Sequence, residues 1–78
     1  MKYFEINVGG HYALISASDS GQAVSIFAQE FNQTSRPDWF TEIPESQAWR
    51  AYTNTGKNPD PATREAFQQR ATVWLDVF

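Results

Sequence analysis

The stretch Lys2-Tyr3-Phe4-Glu5-Ile6-Asn7-Val8-Gly9-Gly10-His11-Tyr12-Ala13-Leu14-Ile15-Ser16-Ala17 decides the fold. Lys2 to Val8 and His11 to Ala17 both alternate, and Gly9-Gly10 between them is a two-residue hairpin turn. Glycine accepts the positive φ angles that such turns demand. With Val8 facing His11, Ile6 faces Ala13 and Phe4 faces Ile15. One face then carries Phe4, Ile6, Val8, Ala13, Ile15 and Ala17 and is expected to be core. The other carries Tyr3, Glu5, Asn7, Tyr12, Leu14 and Ser16, a mixed surface that is either open to solvent or covered by a partner.

Ser18-Asp19-Ser20 offers N-caps directly after the hairpin, and Gln22 stands three residues past Asp19 as in a capping box. A helix is expected from Asp19 to Asn32. Its stripe of Ala23, Val24, Phe27, Ala28 and Phe31 is able to lie on the apolar face of the hairpin, with Ile26 off the centre of that stripe. Gln33 to Pro37 reads as a loop, and Trp39 to Ile43 as a short third strand. Pro44 to Thr53 predicts a second helix, with Ala48, Trp49 and Tyr52 on one side and Gly56 as its stop. Asp60-Pro61 is an N-cap followed by proline at the first helical position, so a third helix starts at Pro61.

The third helix is predicted to continue to Trp74 or beyond. Ala66, Phe67, Ala71, Trp74 and Phe78 keep helical spacing, and no glycine or proline interrupts the chain near Arg70. Thr72 to Phe78 is nevertheless rich in strand formers. The sum is a single α+β domain over residues 1–78, an N-terminal antiparallel hairpin with a short third strand packed against two or three helices. At this length one core supplies roughly 3–5 kcal/mol of net stability, so much of the aromatic content must be structural.

Composition bounds function more firmly than any motif does. The chain has three tryptophans, three tyrosines and six phenylalanines, but no cysteine and one histidine. Thiolate metal sites and disulfides are excluded, and His11 has no cysteine or second histidine with which to build a nucleophile pair or a zinc site. Glu42 with Glu45, or Asp60 with Glu65, would need a water-excluding cleft to act as acid and base, which so small a scaffold does not readily provide. Gly9-Gly10 joins two strands with no helix N-terminus after it, so it is a turn and not a phosphate loop. No cofactor or metal is expected, and the chain reads as a binder rather than an enzyme.

No apolar run approaches the roughly 20 residues that span a bilayer, and Met1 to Ile6 lacks the apolar stretch of a secretory signal. The expected location is the cytoplasm, where the sequon at Asn32-Gln33-Thr34 goes unread. Six basic residues against nine acidic ones, a net charge of −3, argue against direct nucleic-acid binding, because no basic run meets the phosphates. The acidic side is more informative. From Asp38 to Gln47 the chain holds Asp38, Glu42 and Glu45 with no basic residue, interleaved with Trp39, Phe40 and Ile43. Aromatic anchors beside carboxylates suit a basic protein surface. The candidate partner-binding residues are therefore Asp38, Trp39, Glu42, Glu45 and Trp49, with Tyr3, Glu5 and Tyr12 on the mixed hairpin face. The competing assignment makes Trp39, Phe40 and Trp49 core residues with solubilising acidic neighbours. A homo-oligomer formed through an open hairpin edge or the aromatic C-terminus is the alternative function class.

The opening plan over the first 32 residues, hairpin Lys2 to Ala17, then Ser-Asp-Ser and an amphipathic helix, resembles small phage or mobile-element accessory proteins, among them the anti-CRISPR proteins. That resemblance implies a protein of the host cytoplasm that blocks a bacterial defence complex, such as a CRISPR effector subunit, by occupying a basic surface meant for DNA or RNA. A charge of −3 is small for a mimic of DNA, so the resemblance implies inhibition without requiring mimicry.

Overall fold

The computed structural model describes residues 1–54 and 61–77. Strands β1 (Lys2–Val8) and β2 (His11–Ala17) form the hairpin in the register the alternation dictates, Val8 opposite His11 and Phe4 opposite Ile15. Gly9 and Gly10 both take positive φ, 57° and 81°, as the twist of a tight hairpin requires. Helix α1 (Ser20–Phe31) follows, with Asp19 at the cap accepting from the Gln22 amide at 2.8 Å. The Gln22 side chain in turn accepts from the Ser18 amide at 2.6 Å. Asn32 closes the helix in the left-handed region, a conformation asparagine tolerates better than most residues. A 3₁₀ turn at Pro37–Trp39 leads to β3 (Thr41–Ile43), and α2 (Glu45–Thr53) and α3 (Pro61–Gln69) come next. The expected cap at Asp60 and stop at Gly56 lie outside the described residues.

The expected helical C-terminus is not formed. Helix α3 ends at Gln69, and Thr72–Val77 is a fourth strand, β4, antiparallel to β2. The sheet order is β3-β1-β2-β4, so the hairpin is central. Tertiary pairing outweighs helical spacing here, and the detail is informative. Leu14 faces Leu75 while Ile15 faces Val73, which makes Trp74 the extra residue of a β-bulge. The bulge turns both Leu75 and Trp74 to one face of the sheet and Val73 to the other, where each packs in a different core cluster.

Those clusters lie on opposite faces. On one, α1 and the segment after it bring Ala23, Phe27 and Phe40 against Phe4, Ile6, Ala13, Ile15 and Ala17. Ala28, expected on this stripe, is exposed, while Ile26 packs at the margin. On the other face, Ala48, Tyr52 and Phe67 from α2 and α3 cover Tyr3, Leu14, Ile43 and Leu75. The mixed face of the hairpin is thus half core, and Tyr3 is removed from the surface. Its ring stacks on Phe67 at 4.8 Å, and its hydroxyl donates to the Phe67 carbonyl at 2.8 Å.

Ser16 is fully buried and secures the C-terminal strand. Its hydroxyl donates to the Arg70 carbonyl and accepts from the Trp74 indole N–H at 2.8 Å and the Thr72 amide at 3.3 Å. A buried donor left without its acceptor costs about 1–3 kcal/mol. Ser16→Ala should therefore destabilise the chain by that amount, read by urea denaturation. A loss below about 0.5 kcal/mol would show that β4 is held by other means.

Candidate functional site

Helices α2 and α3 do not cover the whole second face. Toward the Gly9-Gly10 turn they leave Glu5 and Tyr12 half-buried and Asn7 exposed. Glu5 and Tyr12 lie diagonally across β1 and β2, and the Tyr12 hydroxyl donates to Glu5 Oε2 at 2.5 Å. Burial pushes the Tyr12 phenol well above the ordinary tyrosine range, and the hydrogen bond to anionic Glu5 raises it further. The phenol is therefore a fixed donor, and the carboxylate is held in one orientation.

Strand β3 supplies the rim. It is three residues long and pairs with Tyr3, Phe4 and Glu5, so among the described residues β1 beyond Glu5 has no strand neighbour on that side. The chain approaches this gap through the 3₁₀ turn, in which the Trp39 and Phe40 amides donate to the Arg36 and Pro37 carbonyls at 3.0 Å and 3.2 Å. Phe40 then plunges into the first core, edge-on to Phe4 at 6.4 Å and Phe27 at 6.0 Å. Anchoring Phe40 inward turns its neighbour Trp39 outward, where it is 42% exposed. The result is a cleft of about 350 Å³ lined by Glu5, Ile6, Asn7, Tyr12, Trp39 and Thr41.

The sequence-derived candidates separate into groups. Glu5, Tyr12 and Trp39 line the cleft together. Asp38 precedes Trp39 in sequence and is exposed, 3.4 Å from Arg36, and Glu42 is exposed on β3, 4.0 Å from Lys2. Both pairs are solvent-bathed and worth little to stability. Glu45 is half-buried and accepts from the Tyr3 hydroxyl at 3.4 Å. Trp49 is half-buried in the second core, edge-on to Phe67 at 5.0 Å with the Arg64 guanidinium over its ring at 4.5 Å. Tyr3 and Trp49 thus serve chiefly to hold α2 and α3 on the sheet. Burial pushes the Tyr3 phenol up to about 12, with Glu45 adding to the shift.

Thr41 was not singled out from sequence. Only the register of β3 against β1, which sets Thr41 opposite Glu5, could have found it. The pair His11 and Asp76 was also missed, because a helical reading of the C-terminus hides it. His11 Nε2 lies 2.6 Å from Asp76 Oδ1, with the imidazole edge-on to Phe31 at 4.7 Å. This contact ties β4 to β2 at the end of the first core. Among the described residues no group of three or more histidine or carboxylate side chains could hold a metal ion, and no helix is long and apolar enough to cross a membrane.

In chemical terms the cleft joins one oriented carboxylate, an amide, a hydroxyl and two aromatic rings. That set suits recognition of a cation through charge and ring faces. Compared with known proteins, residues 1–73 match the family model described as the YosH C-terminal domain. No curated protein and no solved structure gives a significant match.

The two shifted phenols fix a pH dependence. Above the ordinary value of 10.0 the unfolded chain releases tyrosine protons that Tyr3 and Tyr12 keep in the fold. Their contribution to stability is whole below about pH 10 and falls as pH rises, through about 12 for Tyr3. Urea midpoints should drop between about pH 10 and about pH 12, and Tyr12→Phe should flatten that drop. An equal slope in the variant would remove Tyr12 from the account.

Proposed function

We propose that this chain, which belongs to the YosH C-terminal domain family, is a non-enzymatic protein-binding module that docks on a basic surface of its partner. The observation that carries this reading is the placement of exposed Trp39 among Glu5, Tyr12 and Asp38, at the end of the sheet left uncovered by helices. Tryptophan and tyrosine bring large contact area at low entropic cost, and surrounding carboxylates speed encounter with a basic partner and select it. Tyr52 and Phe67, by contrast, are buried in the second core. The net charge of −3 favours a protein partner over nucleic acid. The inhibitor form of this reading, in which the covered surface is one that a bacterial defence complex uses to hold nucleic acid, draws on the same charge.

A second reading, self-association, is favoured by β4. Among the described residues this strand pairs only with β2, its sequence Thr72-Val73-Trp74-Leu75-Asp76-Val77 contains no lysine or proline to blunt an edge, and Val77 is 49% exposed. An open, apolar edge strand invites a further strand. If it pairs with a second copy, light scattering at high concentration will show a dimer that Val77→Lys dissolves. A monomer in the unaltered chain would end this reading.

The docking reading is tested by affinity capture from nuclease-treated bacterial lysate with a salt gradient, comparing the unaltered chain with Asp38→Lys/Glu42→Lys. Basic proteins should be retained, elute with rising salt, and be lost or elute earlier with the charge-reversed pair. Retention of the same proteins at the same salt by both would overturn the electrostatic basis of the proposal.

A further inference from the structure

Charge pairing around the site is uneven. Asp38 has Arg36, Glu42 has Lys2, and Asp76 has His11. Among the described residues Glu5 has a phenol on one oxygen, Oε2, and no cationic partner. It is also the carboxylate that lines the cleft, and among the described residues no lysine or arginine lines that cleft with it. A half-buried anion whose orientation is set by a donor, bordered by ring faces and with no cation beside it among the described residues, is arranged to receive a cation from outside.

The geometry points to a receptor for one arginine side chain of the partner, with its guanidinium against the free oxygen of Glu5 and its plane along Tyr12 and Trp39. This deepens, and rests on, the reading of the chain as a module for basic protein surfaces. Arginine fits better than lysine for three reasons. Its fork can give one N–H to Glu5 and others to the Asn7 and Thr41 side-chain oxygens on the same rim. Its flat face stacks on an indole or phenol, and it sheds water more readily than an ammonium group does. The cleft volume of about 350 Å³ admits a whole arginine side chain, and its open mouth leaves the backbone that bears it outside. The gap where β1 continues past β3 lets the donor chain approach from the edge of the sheet without displacing any strand.

The test is a set of ¹⁵N-resolved NMR titrations of the full chain with N-acetyl-arginine amide, its lysine counterpart and its citrulline counterpart. Citrulline keeps the shape of arginine and removes the charge. Arginine amide should shift the Trp39 indole N–H and the amides of Glu5, Asn7 and Thr41 along a saturable curve, while citrulline leaves them in place. Glu5→Gln, which keeps an acceptor for the Tyr12 hydroxyl and so keeps the fold, should weaken arginine about tenfold. Equal responses to arginine and citrulline, equal responses to arginine and lysine, or an unaffected Glu5→Gln would each overturn the assignment. The probe is independent of the partner, so the two readings fail separately. Salt-dependent capture that survives Glu5→Gln with no arginine response keeps the module and discards the cleft. A saturable arginine response with no basic protein captured does the reverse.

Discussion

Both faces of the β1–β2 hairpin carry large apolar groups, so neither can be left to water. Phe4, Ile6 and Ile15 point one way, Tyr3 and Leu14 the other, and all five are buried. A hairpin at the edge of a sheet, with one face solvated, would have needed only α1. A hairpin at the centre needs a helical layer on each side and a strand on each flank, and the rest of the chain supplies them: α1 on one face, α2 and α3 on the other, β3 and β4 at the margins. Among the described residues that cover stops before the turn, and the uncovered remainder is the cleft. Fold and candidate site therefore both follow from the central place of the hairpin.

Local signals carried much of this. The Gly-Gly turn fixes the register by its length, and Asp19 with Gln22 marks the helix start by side-chain bonds within a few residues. Such features depend on neighbours in sequence, so they are readable there. The fourth strand depends on partners far away. Its bulge at Trp74 breaks the two-residue alternation that would betray a strand, and Phe67 and Trp74 happen to keep helical spacing across the join at Arg70. Misreading that segment had a second cost. With β4 absent, nothing in the sequence indicates that Ser16 must be buried or that His11 has Asp76 to bind.

The candidate site was legible in its chemistry and illegible in its grouping. Trp39, Glu5 and Tyr12 stand out as aromatic and acidic residues, but periodicity cannot distinguish Trp39 from Trp49. The distinction comes from the residue beside each. Phe40 is drawn into the first core and turns Trp39 outward, whereas Trp49 shares a helix with buried Ala48 and Tyr52 and turns inward with them. The carboxylates divide on similar grounds. Asp38 and Glu42 are matched by basic residues within reach, Glu45 receives the Tyr3 hydroxyl, and Glu5 alone among these four is held by the cleft's own tyrosine.

The Ser16 hub also bears on how the two halves of the molecule come together. The Trp74 indole reaches Ser16 across 58 positions, whereas α1 packs on the hairpin from the residues that immediately follow it. Closing a long loop costs more chain entropy than closing a short one, and that entropy is spent before the distant contact returns anything. The first core is thus a local assembly and the second a remote one. Until α2, α3 and the last strand are seated, Tyr3, Leu14 and Ser16 present a sticky half-face to the surroundings, so the interval between the two closures is where the topology leaves this chain most open to misassociation.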